Sequence, residues 1–219
     1  MSQLAVVFDG DGVLIDSHPV VVEETNKKYD TTFTVSDMKE YNILPRAVYN
    51  ILKSRNPATK ETEKAITAWM FGDENMSKAL PTPGSQKLVT NLANVGFTVC
   101  LGTSRPVSQA DLTREWLQKY FPEIKSLTIG GDKYDRLKAK YKAVIDNDAL
   151  AFFDDDGRVI MDIYTSGALK PTVLGLIDKP WNQQYTLIKR KGTRALRYGF
   201  WQENNYEWGK IFDILCMLI

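Results

Sequence analysis

Histidine and cysteine are nearly missing from this chain, and their scarcity removes the commonest metal and redox chemistries. His18 is the single histidine, which disfavours a multi-histidine zinc site or a histidine-paired nucleophile elsewhere. The two cysteines, Cys100 and Cys216, lie far apart and make no Cys-x-x-Cys or Cys/His spacing. Cys100, inside Val99-Cys100-Leu101, reads as a small buried hydrophobe in a reduced, cytoplasmic protein. An excess of one charge is lacking too: 28 Lys+Arg against 27 Asp+Glu gives a net +1. No global field draws such a chain onto nucleic acid, although a few local cations could hold a small anion. Long hydrophobic runs are also absent. Ile211–Ile219 is too short to span a bilayer and is interrupted by Asp213, and MSQLAVVFDGDG passes from a short apolar run straight into acids, unlike a signal peptide. No membrane role is expected. What is there is 219 residues, 43% hydrophobic and 25% charged, which suits a globular fold that needs no disulfide or metal staple.

Four compact apolar runs stand out: Leu4–Phe8, Phe97–Leu101, Leu150–Phe153 and Val173–Ile177. Each is short, rich in Val, Ile, Leu or Phe, and bounded by turn residues or acids, as expected of strands covered on both faces of a parallel sheet. Leu127–Ile129 before Gly130-Gly131 is a weaker fifth. Helical spacing separates them at Ser85–Asn94, Ala110–Tyr120 and Tyr134–Ile145, the last with Tyr134, Leu137, Tyr141 and Val144 on one stripe. This alternation predicts an open α/β fold. Ser17–Leu80 breaks the alternation; it is polar and mostly helical in pattern, and Pro81-Thr82-Pro83-Gly84 reads as a return hinge. A small helical segment inserted after the first strand is the economical reading.

Acids close two of the strands. Phe8-Asp9-Gly10-Asp11-Gly12-Val13 puts Asp9 and Asp11 where ligands bind in parallel sheets, beyond the strand's carboxyl end. Two apart on an extended segment they point the same way, and the glycines let the chain turn and a ligand approach. A calcium loop starting at Asp9 would need Gly and Glu where Leu14 and Val20 stand. Phe153-Asp154-Asp155-Asp156-Gly157 is the second cluster; its carboxylates repel one another unless a cation or water neutralises them. A solvated acidic turn is the alternative for either cluster alone. Both at strand ends of one sheet make a hard oxygen site suited to Mg²⁺. Between them Leu101-Gly102-Thr103-Ser104-Arg105-Pro106 closes another strand, where a hydroxyl and backbone N–H groups can hold a phosphate oxygen; ordinary turn chemistry is the alternative.

A strand leading to Asp9-x-Asp11-Gly12, a strand ending at Thr103, a helix lysine and a strand ending at Asp154-Asp155, in that order, resembles the haloacid dehalogenase-like superfamily of phosphohydrolases. The likeness runs from Leu4 to about Ile177. It implies an open parallel Rossmann-like core from 1–16 and 81–219 with a helical cap from 17–80. It further implies Asp9 as the nucleophile that takes the phosphoryl group, and Asp11 as general acid for the leaving alcohol and then base for water. Thr103, with Ser104, would hold the phosphate. Mg²⁺ would be bound by Asp9, Asp155 and the Asp11 carbonyl, with Asp154 in support. The required lysine has several candidates in Asp135-Arg136-Leu137-Lys138-Ala139-Lys140-Tyr141-Lys142: Lys138 comes first as nearest the expected apolar stripe, Lys142 second and Lys140 third.

A narrower likeness is carried by Asp178-Lys179-Pro180-Trp181-Asn182, which resembles a segment of the deoxyribonucleotidase-like branch, and by Tyr206–Phe212, which resembles its tail helix. The polynucleotide phosphatase branch shares Asp135…Lys138 and Asp154-Asp155. Trp181 and Trp208 could equally be packing aromatics. The implied activity is Mg²⁺-dependent hydrolysis of a phosphomonoester, a nucleotide or another small phosphate ester. A phosphomutase shares the same motifs, and a non-catalytic Mg²⁺-holding module is the least supported alternative. Lys189, Arg190, Lys191, Arg194 and Arg197 read as a solvated basic face, with a polynucleotide end as the alternative ligand. Arg46, Tyr49 and Trp69 are conceivable cap contacts to a substrate.

Overall fold

Strand propensity and two-sided burial carry the apolar runs into β1 (Ala5–Phe8), β4 (Thr98–Thr103), β5 (Ser126–Ile129), β6 (Ala149–Asp154) and β7 (Val173–Ile177), with β8 (Arg194–Tyr198) outside them. These form one six-stranded sheet in the order β5-β4-β1-β6-β7-β8, each neighbouring pair parallel. A separate antiparallel pair, β2 (Ile15–Asp16) and β3 (Leu80–Pro81), brackets the helical insertion. The computed structural model describes residues 4–40, 43–130, 136–166, 173–185, 194–198 and 207–218. Of the residues expected on a solvated basic face, Arg194 and Arg197 lie in β8, a strand paired with β7, while Lys189, Arg190 and Lys191 fall outside the described residues. Arg194 and Arg197 flank Ala195-Leu196, a pair too short for a hydrophobic scan to pick out.

Period-two alternation along the strands sorts the two faces. Val6 and Phe8 point into a core with Leu88 and Leu92 of α5 (Ser85–Asn94), Trp116 and Leu117 of α6 (Ala110–Tyr120), and Ile211 and Leu215 of α9 (Trp208–Cys216). Val7 points the other way, with Phe152, toward Ala143 and Val144 of α7 (Arg136–Asp146) and Ile160 and Ile163 of α8 (Gly157–Ser166). Phe8 and Phe153 stack with ring centroids 5.0 Å apart, and burial of each is worth about 1.5–3 kcal/mol. Trp208 donates its indole N–H to the Pro83 carbonyl at 2.7 Å, which holds α9 against the start of α5.

The insertion consists of α1 (Ser17–Tyr29), α2 (Ile43–Arg55), α3 (Glu63–Met70) and α4 (Asp73–Met76). Thr62 caps α3, its hydroxyl accepting the Ala65 N–H at 3.1 Å. These helices bury a third apolar cluster that includes Val21, Val48, Ile66 and Met70, and Trp181 from the loop after β7 joins it. The chain leaves β1, builds β4 and β5 on one side, and returns to β6 on the other. That reversal, between β1 and β6, opens a crevice at the strand carboxyl ends.

Candidate active site

Asp9 sits one residue past β1, its N–H donating to the Phe153 carbonyl at 2.8 Å, which ties it to the end of β6. The next residues turn sharply, with Gly12 N–H to the Ile15 carbonyl at 2.8 Å and Ile15 N–H to the Gly10 carbonyl at 2.9 Å. Gly12 adopts φ +82°, and a Cβ there would lie 2.2 Å from Asp155 Oδ2. Glycine is required on both counts. Gly10 fits closely as well, since its Cβ would come 3.3 Å from the Thr103 hydroxyl, which places Thr103 beside the Asp9 turn.

Asp9, Asp154 and Asp155 are buried and converge, each offering an oxygen within 4.8 Å of the others. Lys140 Nζ bridges two of them, 2.9 Å from Asp9 Oδ2 and 2.8 Å from Asp154 Oδ2. Its reach depends on Gly102 of β4, where a Cβ would stand 2.6 Å from Ala143 Cβ and 3.7 Å from the Lys140 Cα. A bare strand residue opposite small helix residues lets α7 lie close to the sheet. Burial, and then the neighbouring Asp154 charge, push Asp9 up against the opposing pull of Lys140. Burial likewise raises Asp154, and burial and Asp9 raise Asp155. Burial works against the Lys140 ammonium, but Asp154 and Asp9 outweigh it and hold the group charged.

Asp11 faces a different partner. Arg105 grips its carboxylate with two hydrogen bonds of 2.7 Å, donates to Thr113 Oγ1 at 3.3 Å, and lies 3.9 Å from the Met76 sulfur of the insertion. Burial opposes ionisation of Asp11, yet the guanidinium prevails and lowers its pKa. The Asp11 side chain therefore stands apart from the trio, and the metal-ligand group among the described residues comprises Asp9, Asp154 and Asp155. Thr103 is buried, its Oγ1 accepting the Arg105 N–H at 3.3 Å, and Ser104 is half-buried next to it. Asp156 turns outward to Arg158 at 2.7 Å.

The expected order of the lysines is reversed in space. Lys138 is exposed, and Lys142 is exposed and paired with Asp146; Lys140 is the lysine in the crevice. The reason is helix phase: α7 buries Ala139, Lys140, Ala143 and Val144, whereas Tyr141 of the expected stripe is only half-buried. Tyr134 lies outside the described residues. Arg105 and Trp181 are contributors whose contacts the sequence pattern did not reveal. Trp181 Nε1 donates to Asp155 Oδ2 at 3.0 Å, and Asn182 Nδ2 donates to the Asp155 carbonyl at 2.9 Å. Of the suggested substrate contacts, Tyr49 and Trp69 border the insertion's own apolar cluster, and Trp69 meets Tyr29 edge-on at 5.4 Å.

The donor chemistry fits a hard divalent cation. Three buried carboxylates gather around the Lys140 ammonium, with the buried Lys179 acting on Asp155 as well, and Asp9 Oδ1 is buried with no hydrogen-bond partner among the described residues. Oxygen ligands of this kind suit Mg²⁺.

Comparisons with known proteins agree with this architecture. No family model matches the chain. An uncharacterized protein of Schizosaccharomyces pombe is 27% identical over 143 residues, 59% of this chain and 54% of that protein, so the match spans about half the length of that curated relative. Solved structures match over nearly the whole chain. A protein described as a beta-phosphoglucomutase from Thermotoga maritima superposes with a TM-score of 0.60 at 16% identity, covering 99% of this chain and 100% of that one. Protein Tyrosine Kinase A of Mycobacterium tuberculosis gives 0.60 at 15% identity over 92% and 96%. A HAD-superfamily hydrolase of subfamily IA from Geobacter sulfurreducens gives 0.57 at 13% identity over 98% and 97%. The chain has the fold of haloacid dehalogenase-like proteins, and at these identities the likeness extends to the fold alone. Its neighbours carry names of different activities, so the chemistry has to be argued from the crevice.

Proposed function

We propose that this protein is a Mg²⁺-dependent phosphomonoester hydrolase that works through an aspartyl-phosphate on Asp9. The observation that carries this reading is the buried group of Asp9, Asp154, Asp155 and Lys140 at the reversal of the strand order. An Asp9 oxygen attacks phosphorus as the bond to the leaving oxygen breaks, and Asp11 gives that oxygen its proton. Water then attacks the phosphorus of the aspartyl-phosphate, Asp11 takes the water's proton, and the Asp9 carboxylate is regenerated. Arg105 holds Asp11 ionised, which suits the second step; donation in the first requires that pair to loosen and Asp11 to take up a proton from solvent beforehand, which the second step then restores. Lys140 offsets the repulsion between Asp9 and an incoming phosphate dianion, and Thr103 with Ser104 would hold the phosphoryl oxygens.

Asp9, Asp154 and Asp155, with the Asp11 carbonyl, would hold Mg²⁺, which supplies Lewis-acid screening of the phosphoryl charge. Residues 17–80 would serve as the cap that excludes water and selects the leaving group. Small phosphate esters are the substrate class, and the Asp178–Asn182 likeness makes nucleoside monophosphates the first members to test. In the described residues no helix is long and apolar enough to cross a membrane.

Asp9→Asn is the direct test. Hydrolysis of p-nitrophenyl phosphate with Mg²⁺ should fall at least about a thousandfold, because the variant replaces the attacking carboxylate by a neutral, far less nucleophilic amide. A variant that hydrolyses the ester as fast as wild type removes Asp9 from the mechanism. A panel of nucleoside monophosphates and sugar phosphates, followed by release of inorganic phosphate, separates hydrolysis from transfer to a second sugar hydroxyl.

A further inference from the structure

Asp155 is held more tightly than a simple cation ligand requires. Its Oδ2 accepts the Trp181 indole N–H at 3.0 Å, and its backbone carbonyl accepts Asn182 Nδ2 at 2.9 Å. Gly12 lies so close that a Cβ there would be 2.2 Å from the same oxygen and 2.7 Å from Cγ. The donor is fixed as well. Trp181 is 3% exposed, packed in the apolar cluster of the insertion, with the His18 ring centroid 4.2 Å from its own. Its loop is pinned where Asn182 Nδ2 donates to the Ile177 carbonyl at 2.7 Å and the Lys179 N–H donates to Asn182 Oδ1 at 3.2 Å.

An indole N–H has one proton to give and no freedom here to follow the carboxylate. The indole N–H already occupies one lone pair of Oδ2, so a cation that draws on both Asp155 oxygens competes with it for that oxygen and strains or breaks the hydrogen bond. Ligation through one oxygen carries no such cost. Mg²⁺ demands near-octahedral geometry and takes one oxygen from each carboxylate together with waters, whereas the larger Ca²⁺ readily takes both.

We propose that Trp181, acting through Asp155, is a positioning residue that restricts Asp155 to one-oxygen ligation and biases the site toward Mg²⁺ over Ca²⁺. This rests on the reading above that the carboxylate trio holds a divalent ion.

Calorimetric titration of the full-length protein with Mg²⁺ alone and with Ca²⁺ alone, for wild type and Trp181→Phe, tests it. Phenylalanine keeps an aromatic ring against His18 and lacks the donor. Loss of an outer hydrogen bond to a metal ligand typically weakens binding about 10–100-fold. Mg²⁺ affinity should therefore drop about tenfold or more while Ca²⁺ affinity holds or rises, shrinking the Mg²⁺/Ca²⁺ preference by about the same factor. A mere packing defect lowers both affinities together, and that result, or two unchanged affinities, overturns the inference. Crystals of wild-type protein grown with each ion decide the matter without the variant: Asp155 should bind Mg²⁺ through one oxygen with the indole bond kept near 3.0 Å. Bidentate Asp155 with the indole bond intact overturns it. Wild-type protein that binds neither ion would sink the Mg²⁺ reading and this inference together; Mg²⁺ binding with an unaltered preference in Trp181→Phe sinks the inference alone.

Discussion

Replacing each of the three clustered lysines by methionine separates them by more than any other change to the crevice. Lys140 is 4% exposed at its side chain and touches two carboxylates that are themselves 5% and 0% exposed. Methionine preserves most of the volume and removes the charge, so what is lost is the compensation of Asp9 and Asp154. Removing one partner of a buried ion pair costs about 3–5 kcal/mol, because the other is left uncompensated. The cost must also depend on pH. Burial holds Asp9, Asp154 and Asp155 above their ordinary range, whereas in the unfolded chain they ionise near pH 3.9. Above that pH the native state keeps more protons than the unfolded one, and stability falls as pH rises toward the native values. Without Lys140 those values climb further, so the Lys140→Met penalty should be larger at pH 8 than at pH 5.

Lys138→Met and Lys142→Met act at exposed positions, where substitutions stay within about 0.5 kcal/mol. Urea unfolding of all three variants at both pH values, without divalent ions, reads the difference. Saturating Mg²⁺ at about 100 times its dissociation constant should return up to about 2.7 kcal/mol to any variant that still binds it. The reasoning is refuted if Lys138→Met or Lys142→Met destabilises more than Lys140→Met, or if the Lys140→Met penalty shrinks as pH rises.

Gly102→Ala should lift α7 from the sheet, since the new methyl would begin 2.6 Å from Ala143 Cβ. Overpacking of this kind costs about 1–3 kcal/mol, and displacing Lys140 by an ångström should lower turnover about a hundredfold, read by thermal unfolding and phosphatase assays. Unchanged turnover would mean that the α7-to-sheet distance does not set the lysine. His18 supplies a pH signature of opposite sign to the trio. Burial, and then the nearby Lys179 charge, push its pKa down to about 3, so below pH 6.5 the unfolded chain binds a proton that the native state refuses. Its contribution is lost as pH falls from 6.5 toward 3, at up to about 1.4 kcal/mol per unit. His18→Gln should flatten the acid limb of urea-unfolding stability relative to wild type, and identical slopes would show that His18 takes up its proton while folded.

The strands were legible wherever burial on both faces leaves an uninterrupted apolar run. Val173–Ile177 is β7 residue for residue, and Leu150–Phe153 lies within β6. Ser85–Asn94 and Ala110–Tyr120 coincide with α5 and α6, because Pro83-Gly84 and Pro106 mark where those helices become possible. β8 was not legible, since Arg194 and Arg197 bound its one apolar pair, Ala195-Leu196, too closely for a run to form. An edge strand needs one neighbour and no hydrophobic run to hold it.

At the crevice, legibility followed sequence distance. Asp9 could be placed from its own strand and turn, and Asp154 and Asp155 from theirs, since a strand ending in acids states its own direction. The lysine could not. Lys138, Lys140 and Lys142 share one chemistry at spacings of two, and a helix turns Lys140 to the opposite face from the other two. The phase of α7 is set by Ala139 and Ala143, residues too small to register as an apolar stripe, and Ala143 packs where Gly102 of another strand has no side chain. Arg105 was hidden for the same reason: its partner Asp11 lies in the β1 turn, and Thr-Ser-Arg-Pro alone looks like any polar turn. Trp181 is the sharpest case, because its ring packs with the insertion while its N–H serves Asp155. A packing aromatic and a positioning donor are compatible roles for an amphipathic side chain, and a choice between them could not have recovered both.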